Sequence, residues 1–313
     1  MIALLLVPLI LPWALPPLAR HTAERVRPDI ALWAVTAASA ALAFGVVASL
    51  GVLVLPLALE IPPLAALVDL IQPLQAGPES LVLGISALAA GLVAVTAVAA
   101  TRRMVTEMRR LRAIHGSLAA LPDAGGLCVV DDPCPDAYAL PGGLRGRGRI
   151  VVTTGMLRAL DGAEREVLLA HERAHLAGRH HLFLATALLA GQCHPALAAV
   201  VHPVSFAAER AADEVAARTA GNRTLAAHAV GRAALAAARK RVTPARPAVI
   251  PGAVTGPVPA RVRALLFNAP TRRIAPALLA MHLLCAAAAA SSLAGATLLH
   301  QGVEVAQGEH ASD

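Results

Sequence analysis

Three polar residues in the stretch 161–180 have the spacing needed for metal-dependent hydrolysis. His171 and His175 are four residues apart, so on an α-helix their imidazoles share one face and can bind the same metal ion. Glu172 lies about 100° round the helix axis, where its carboxylate can act as a base toward a water on that ion. The pattern H-E-x-x-H predicts a zinc site with Glu172 as the catalytic base.

A third metal ligand must come from a later element, because catalytic zinc usually takes three protein ligands and leaves a fourth position for water. The stretch E-R-A-A-D places Glu209 and Asp213 on one face of a helix. We predict that Glu209 binds the metal and that Asp213 accepts the N–H of a ligating histidine. The alternative is that Glu209 and Asp213 belong to a solvent-exposed helix face beside Arg210 and Arg218. The H-E-x-x-H pattern upstream favours the ligand interpretation.

Local patterns also predict the elements that position these residues. Asp161 followed by Glu164 forms a capping box, which predicts a helix from about residue 162. Residues 182–208 have no formal charge, but one membrane crossing there would put the two halves of the site on opposite sides. Two crossings would need about 40 residues. We therefore expect a buried or membrane-dipping hairpin that turns near Gln192–Pro195.

The composition is typical of a membrane protein, with 57% hydrophobic and 15% charged residues against roughly 25% charged in soluble domains. A transmembrane helix needs about 20 apolar residues. Four stretches without Asp, Glu, Lys or Arg have that length: 1–19, 30–59, 80–101 and 274–303. The first has no basic residue before its apolar run and contains four prolines, which favours a retained, kinked helix over a signal peptide.

The charges of the loops predict the orientation, because Lys and Arg are held on the cytoplasmic side. The segments after the first and third stretches are rich in arginine, whereas 60–79 and the tail 304–313 carry only acidic charges. We therefore predict three spans within 1–103, a cytoplasmic domain at 104–273, one further span and a short external tail. Both termini would lie on the outer side of the membrane. The expected location is the plasma membrane of a bacterium.

The net charge of +7 does not indicate nucleic-acid binding. Aromatic residues make up only 2% of the chain, no basic stretch is interleaved with them, and most arginines flank the apolar runs. The four cysteines are far apart and form no C-x-x-C pair, so we expect free thiols in a reducing compartment. The expected partners are a lipid bilayer and a protein or peptide substrate.

Taken in order, the motifs resemble those of membrane-embedded gluzincin peptidases, specifically the BlaR/MecR-type antirepressor peptidases and their relatives, the HtpX and CAAX-prenyl proteases. The resemblance runs from about 128 to 266. Besides H-E-R-A-H and E-R-A-A-D it includes D-A-Y-A-L-P-G-G at 136–143, R-I-V-V-T-T-G-M-L at 149–157 and P-A-R-V-R-A-L-L at 259–266. Asp136 departs from the asparagine that is usual in the family.

The fold expected is an α-helical membrane protein of about four transmembrane helices with a cytoplasmic, zincin-like α+β domain. That domain would hold a small sheet at 128–155, the zinc helix and the glutamate helix. The first matching strand contains Pro141, which favours an edge position. Ala137, Tyr138 and Ala139 would then pair with an extended substrate, the alternative being a structural hairpin. The proline-rich residues 239–259 are expected to form a long loop.

The resemblance implies a zinc-dependent endopeptidase that cleaves a specific cytoplasmic protein, such as a cognate transcriptional repressor. Beta-lactam sensors of this type carry a penicillin-binding domain after the last helix, and here only the short tail follows, so direct antibiotic sensing is not expected. One alternative is HtpX-like quality control of membrane proteins. Another is a non-catalytic scaffold with a relic metal site. A transporter is disfavoured, since the predicted spans hold no Asp, Glu, Lys or Arg and His282 is more often a packed or interfacial residue than part of a transport path.

Overall fold

The computed structural model describes residues 2–59, 79–142, 148–238, 247–250, 257–267 and 275–306. These residues form a mostly helical molecule with one small sheet. The elements in chain order are α1 Ile2–Ile10, α2 Leu15–Arg25, α3 Pro28–Leu59, α4 Glu79–Ser117, β1 Leu127–Val130, β2 Ala137–Leu140, β3 Arg149–Thr153, α5 Thr154–Ala159, α6 Gly162–Ala177, α7 His180–Cys193, α8 Pro195–Ala198, α9 Val201–Ala220, α10 Arg223–Ala238, α11 Val258–Leu266 and α12 Ala275–Ala306.

The first apolar stretch is helical but not one continuous α-helix. A 3₁₀ turn at Leu11–Ala14 joins α1 to α2, and Pro12 within it has no N–H to give to a regular helical hydrogen bond. The helix α2 then continues to Arg25, past the predicted end at residue 19. Pro28 begins α3, a position where the missing N–H costs nothing.

Two of the helices in the described ranges are long and apolar enough to cross a membrane. They cover Pro28–Ala58 and Ser80–Ser117, and Pro276–Ser291 is a shorter apolar helix. Their length and composition are evidence, though only of a general kind, that the protein associates with a membrane. The four-span arrangement, its orientation and the cytoplasmic placement stay predictions. All but the last residue of the predicted outer segment 60–79, most of the tail and most of the proline-rich loop lie outside the described residues.

A sheet in the order β1-β3-β2 occupies the predicted region. β3 pairs in parallel with β1 and antiparallel with β2, and its last four residues are buried. β2 is thus at an edge of the sheet, as predicted, but the reason given for that position, a proline within the strand, was wrong. Pro141 lies one residue beyond the strand, whose last pair is Leu140 with Arg149, and so Pro141 does not determine the position of β2.

The expected hairpin separates the two halves of the motif. α7 ends at Cys193, His194 caps the short α8 by accepting a hydrogen bond from the amide of Ala196, and α9 returns from Val201. As a result α9 packs against α6, with α10 beside both. The hairpin therefore brings the glutamate helix onto the histidine helix.

One hydrophobic cluster joins the N-terminal helices to the hairpin, because α3 packs against both α7 and α9. Arg210 on α9 also donates hydrogen bonds to the carbonyls of Ala23 and Val26 at the end of α2. The helix that carries Glu209 is therefore anchored to the N-terminal helices. Buried members of the cluster include Leu15, Leu32, Val35, Leu42, Leu184, Leu197, Val204 and Phe206.

Candidate metal centre

The start of α6 is defined by reciprocal hydrogen bonds. The Asp161 carboxylate accepts from the Glu164 amide at 2.9 Å, and the Glu164 carboxylate accepts from the Asp161 amide at 2.9 Å. Arg232 on α10 adds a 2.7 Å ion pair to Glu164. The predicted capping box is present, and it sets the start of the helix on which His171 and His175 share a face.

Two imidazoles and one carboxylate meet between α6 and α9. The Nε2 atoms of His171 and His175 are 3.1 Å apart, and each lies 3.5 Å from a carboxylate oxygen of Glu209. One ligand atom from each of the three residues lies within 4.8 Å of the others. Two ligands about 2.1 Å from a tetrahedral zinc stand about 3.4 Å apart. The spacing therefore fits one zinc ion bound by all three side chains.

Asp213 lies behind His171, one turn after Glu209. Its Oδ1 is 3.0 Å from Nδ1 of His171, so with the proton on Nδ1 the Nε2 atom is left to face Glu209. Burial disfavours the charged imidazole, but hydrogen bonds to Asp213 and Glu209 outweigh it and raise the pKa of His171 to about 10. Burial, and then the charge of His171, lowers the pKa of His175 well below its usual value.

Arg261 enters the site from α11 with no exposed surface. Its Nε and Nη2 atoms donate to the two oxygens of Asp213 at 2.8 and 2.7 Å, and Nη1 lies 2.8 Å from Oε2 of Glu209. Burial alone would raise the pKa of Asp213, but Arg261 outweighs it and holds that pKa far below the usual range. One guanidinium therefore holds two buried carboxylates in place and keeps that of Asp213 ionised.

Glu172 is completely buried on α6 between the two histidines. It lies close enough to Arg261 to contribute to the raised pKa of that guanidinium. A bound metal would require both imidazoles to be neutral, and the site would then hold the three carboxylates of Glu172, Glu209 and Asp213 against the one positive charge of Arg261. One divalent cation would compensate the excess negative charge of that state, and buried charges are rarely left without compensation.

The structure brings His171, Glu172, His175, Glu209 and Asp213 to one place, as the sequence motifs require. Ala137–Ala139 lie in β2, which packs against α6. The roles of all these residues stay predictions. His228 and Arg218, which follow Glu209 along the chain, are exposed and do not join the buried cluster.

Sequence reasoning gave no role to Arg261 or His180. Arg261 lies in the stretch that resembles the closing helix of the family, so the motif was seen but not its contacts. His180 has its Nδ1 2.7 Å from Nδ1 of His175. Its distance of five residues along the chain from His175 is not one at which helical side chains meet, so no periodic pattern indicated the contact.

Comparison with known proteins identifies the family. The family model described as Peptidase family M48 matches residues 99–282, more than half of the chain. Neither the curated proteins nor the solved structures gave a match. The matched range contains α6, α9 and α11, which carry the buried cluster of imidazoles, carboxylates and guanidinium. The chain therefore belongs to peptidase family M48.

Proposed function

We propose that the chain is an integral-membrane zinc endopeptidase in which His171, His175 and Glu209 bind the metal and Glu172 is the general base. Membership of the family already indicates a metal-dependent peptidase that acts on a protein or peptide. The observation that carries the proposal is the convergence of two imidazoles and one carboxylate within 4.8 Å. The three buried carboxylates around one buried guanidinium also support it, because a divalent cation would offset their excess negative charge.

Each polar side chain of the site has a distinct task in peptide hydrolysis. Zinc bound there would polarise the scissile carbonyl and make the attacking water more acidic. Glu172 takes the proton from that water and passes it to the leaving amine, so no covalent intermediate is needed. Asp213 orients His171 through its Nδ1–H, and Arg261 holds the carboxylates of Asp213 and Glu209 in place.

We further propose that β2 binds the substrate as an added strand. Ala137, Tyr138 and Ala139 would offer their backbone groups to an extended peptide. The position of β2 at the edge of the sheet and against α6 supports this assignment. A peptide paired there would run along the helix that carries Glu172.

The BlaR/MecR-type resemblance favours regulatory cleavage of a cytoplasmic protein, with a transcriptional repressor as the leading candidate. In this proposal four helices span a bacterial plasma membrane and the peptidase domain faces the cytoplasm. The alternative is quality-control cleavage of membrane proteins. The packing of α3, a candidate membrane span, directly on the helix of Glu209 favours this alternative, because it puts the site close to the bilayer.

Metal dependence tests the proposal. Detergent-purified full-length protein should hydrolyse casein, lose that activity when a chelator such as phenanthroline removes the metal, and regain it with added Zn²⁺. Glu166→Gln is a matched control, because Glu166 is an exposed acid on the same helix, and this variant should behave as wild type throughout. Hydrolysis that survives complete metal removal would exclude the mechanism.

A further inference from the structure

His180, the first residue of α7, lies behind His175. The Nδ1 atoms of the two rings are 2.7 Å apart, the rings meet edge to face at 4.8 Å, and His180 is only 6% exposed. Two ring nitrogens at this distance share one hydrogen bond, so one donates and the other accepts. The contact therefore couples the tautomers of the two histidines.

The other nitrogen of His175 decides which ring donates. Nε2 of His175 faces His171 and Glu209, and it needs a free lone pair to bind a metal ion. Its proton must then lie on Nδ1 and be donated to Nδ1 of His180. His180 in turn carries its own proton on Nε2, as a neutral imidazole.

Each metal-binding histidine thus has its own hydrogen-bond acceptor, but the two acceptors differ in charge. His171 has the carboxylate of Asp213 3.0 Å from its Nδ1 atom, whereas His175 has a neutral ring behind it. A carboxylate at position 180 would add a fourth buried negative charge to the three that Arg261 already faces. A neutral acceptor orients His175 without that cost.

The backbone between α6 and α7 adopts an unfavourable conformation to make this contact. Arg179 has φ 49° and ψ 40°, and among the residues that the structure describes no other side-chain-bearing residue has a positive φ. This left-handed conformation is unfavourable for a residue with a Cβ. It turns the chain sharply after α6 and directs His180 back to His175. Strained backbone of this kind often accompanies a functional constraint.

Gly178 provides the space for the ring. Its own φ is −77°, which any residue adopts, so its conformation does not require glycine. A Cβ at this position would lie 2.5 Å from Nε2 and 2.8 Å from Cδ2 of His180. The Cβ would also lie 3.0 Å from the carbonyl oxygen of Ala174, but the two shorter contacts are with the His180 ring, so the imidazole makes the main demand for glycine.

We propose that His180 is a positioning residue that holds His175 in its metal-binding tautomer, and that the Gly178–Arg179 turn is built to seat it. This inference rests on the metal site of the proposed function. It adds a residue that acts on the metal through His175 and does not touch the substrate.

Zinc affinity tests the inference without reference to catalysis. We would measure it on the detergent-purified full chain by competition with a chromophoric chelator. His180→Leu removes the acceptor and should weaken zinc binding about 10- to 100-fold. His180→Asn puts an amide oxygen near the position of Nδ1 and should restore most of the affinity. His181→Leu, at the partly buried neighbouring histidine, is the matched control and should bind zinc as wild type does.

A double-mutant cycle then tests the glycine. Gly178→Ala should weaken zinc binding in the wild-type background, because its methyl group displaces the His180 ring. In the His180→Asn background the same change should have a clearly smaller effect, since asparagine has neither ring atom that the methyl group would meet and only the 3.0 Å contact with the Ala174 carbonyl oxygen remains.

The outcomes separate the two proposals. Equal zinc affinity in wild type and His180→Leu would overturn the role of His180 and leave the metal site standing. A Gly178→Ala effect of the same size in both backgrounds would overturn the role assigned to the glycine. A wild-type chain that binds no zinc would overturn the proposed function, and the positioning role with it.

Discussion

Arg261 reaches the site from α11 and contacts two carboxylates of α9 that are four residues apart. The three groups are at least 97% buried, so none of their charges is screened by water. Removing one partner of a buried ionic cluster leaves the others uncompensated, which costs about 3–5 kcal/mol. The same guanidinium determines where the oxygens of Glu209 lie. Arg261 therefore contributes to both folding and metal binding.

We predict that Arg261→Met lowers the free energy of unfolding of the metal-free chain by about 3–5 kcal/mol. Thermal unfolding in detergent would show the loss as a lower Tm. Arg263→Met is the matched control, because Arg263 is two residues away on the same helix and exposed, and its Tm should stay within a degree or two of wild type, as about 0.5 kcal/mol allows. Equal Tm values for the two variants would contradict the account.

At the scale of residues, the sequence predicted those parts of the site that follow a helical repeat. His171 and His175 share a face, as do Glu209 and Asp213, and the hairpin brings the two pairs together. Arg261 is 48 residues from Asp213, and no local spacing relates them. The position of His180 depends on the left-handed conformation of Arg179. No glycine stands at that position, so the sequence did not indicate the turn. Contacts made by tertiary packing or strained turns leave no periodic signal.

At the scale of elements, the loop between β1 and β2 is held on the start of α5. The amide of Gly155 donates to the carbonyl of Asp132 at 2.8 Å, and Thr153 donates to the carbonyl of Cys134 at 2.8 Å. These bonds join β3 and α5 to the loop that leads into β2. The position of the proposed substrate strand thus depends on how closely two backbones approach at Gly155.

We predict that Gly155→Ala is destabilising, because its Cβ would lie 2.1 Å from the carbonyl oxygen of Pro133. The clash is with backbone that cannot rotate away, so a loss of about 1–3 kcal/mol or more is expected. Gly162→Ala, in open space at the start of α6, should be neutral or stabilising by up to roughly 1 kcal/mol. Urea unfolding of both variants would measure the difference, and a harmless Gly155→Ala would show that the loop is not closely packed there.

The helices and strands were more predictable than their mutual arrangement. The capping box predicted the start of α6, and the uncharged stretch between the two motifs predicted the hairpin. Both are local signals in the sequence. The first apolar stretch was expected as one kinked helix, but it contains a 3₁₀ turn because successive prolines remove helical donors. The edge position of β2 was inferred from Pro141, which lies outside the strand.

At the scale of the whole molecule, the peptidase region and the N-terminal helices share one hydrophobic core. Leu15 on α2, Val35 on α3 and Val204 on α9 are each completely buried in it. A candidate membrane span therefore packs directly on a helix of the metal site. Length and apolar composition identify such helices from sequence, but they do not reveal which of them pack on the peptidase, because that depends on tertiary contacts.

The proposed orientation predicts which cysteine is accessible from which side. Cys134 is exposed, and a chain that retains it as the sole cysteine should react with a membrane-impermeant maleimide only after the cells are permeabilised. Ala65→Cys, in the segment predicted to lie outside and otherwise free of cysteine, should react in intact cells. Labelling of Cys134 in intact cells would reverse the proposed topology.

The most direct test of the central claim is to measure bound zinc and peptide hydrolysis together, in wild type and in Glu172→Gln. Glutamine keeps the shape of the side chain but cannot accept the proton, and Glu172 is not among the three proposed ligands. Both proteins should therefore hold one zinc per chain, whereas hydrolysis by the variant should fall about 10²- to 10⁴-fold. Wild-type activity in Glu172→Gln, or a wild-type chain without zinc, would contradict the account.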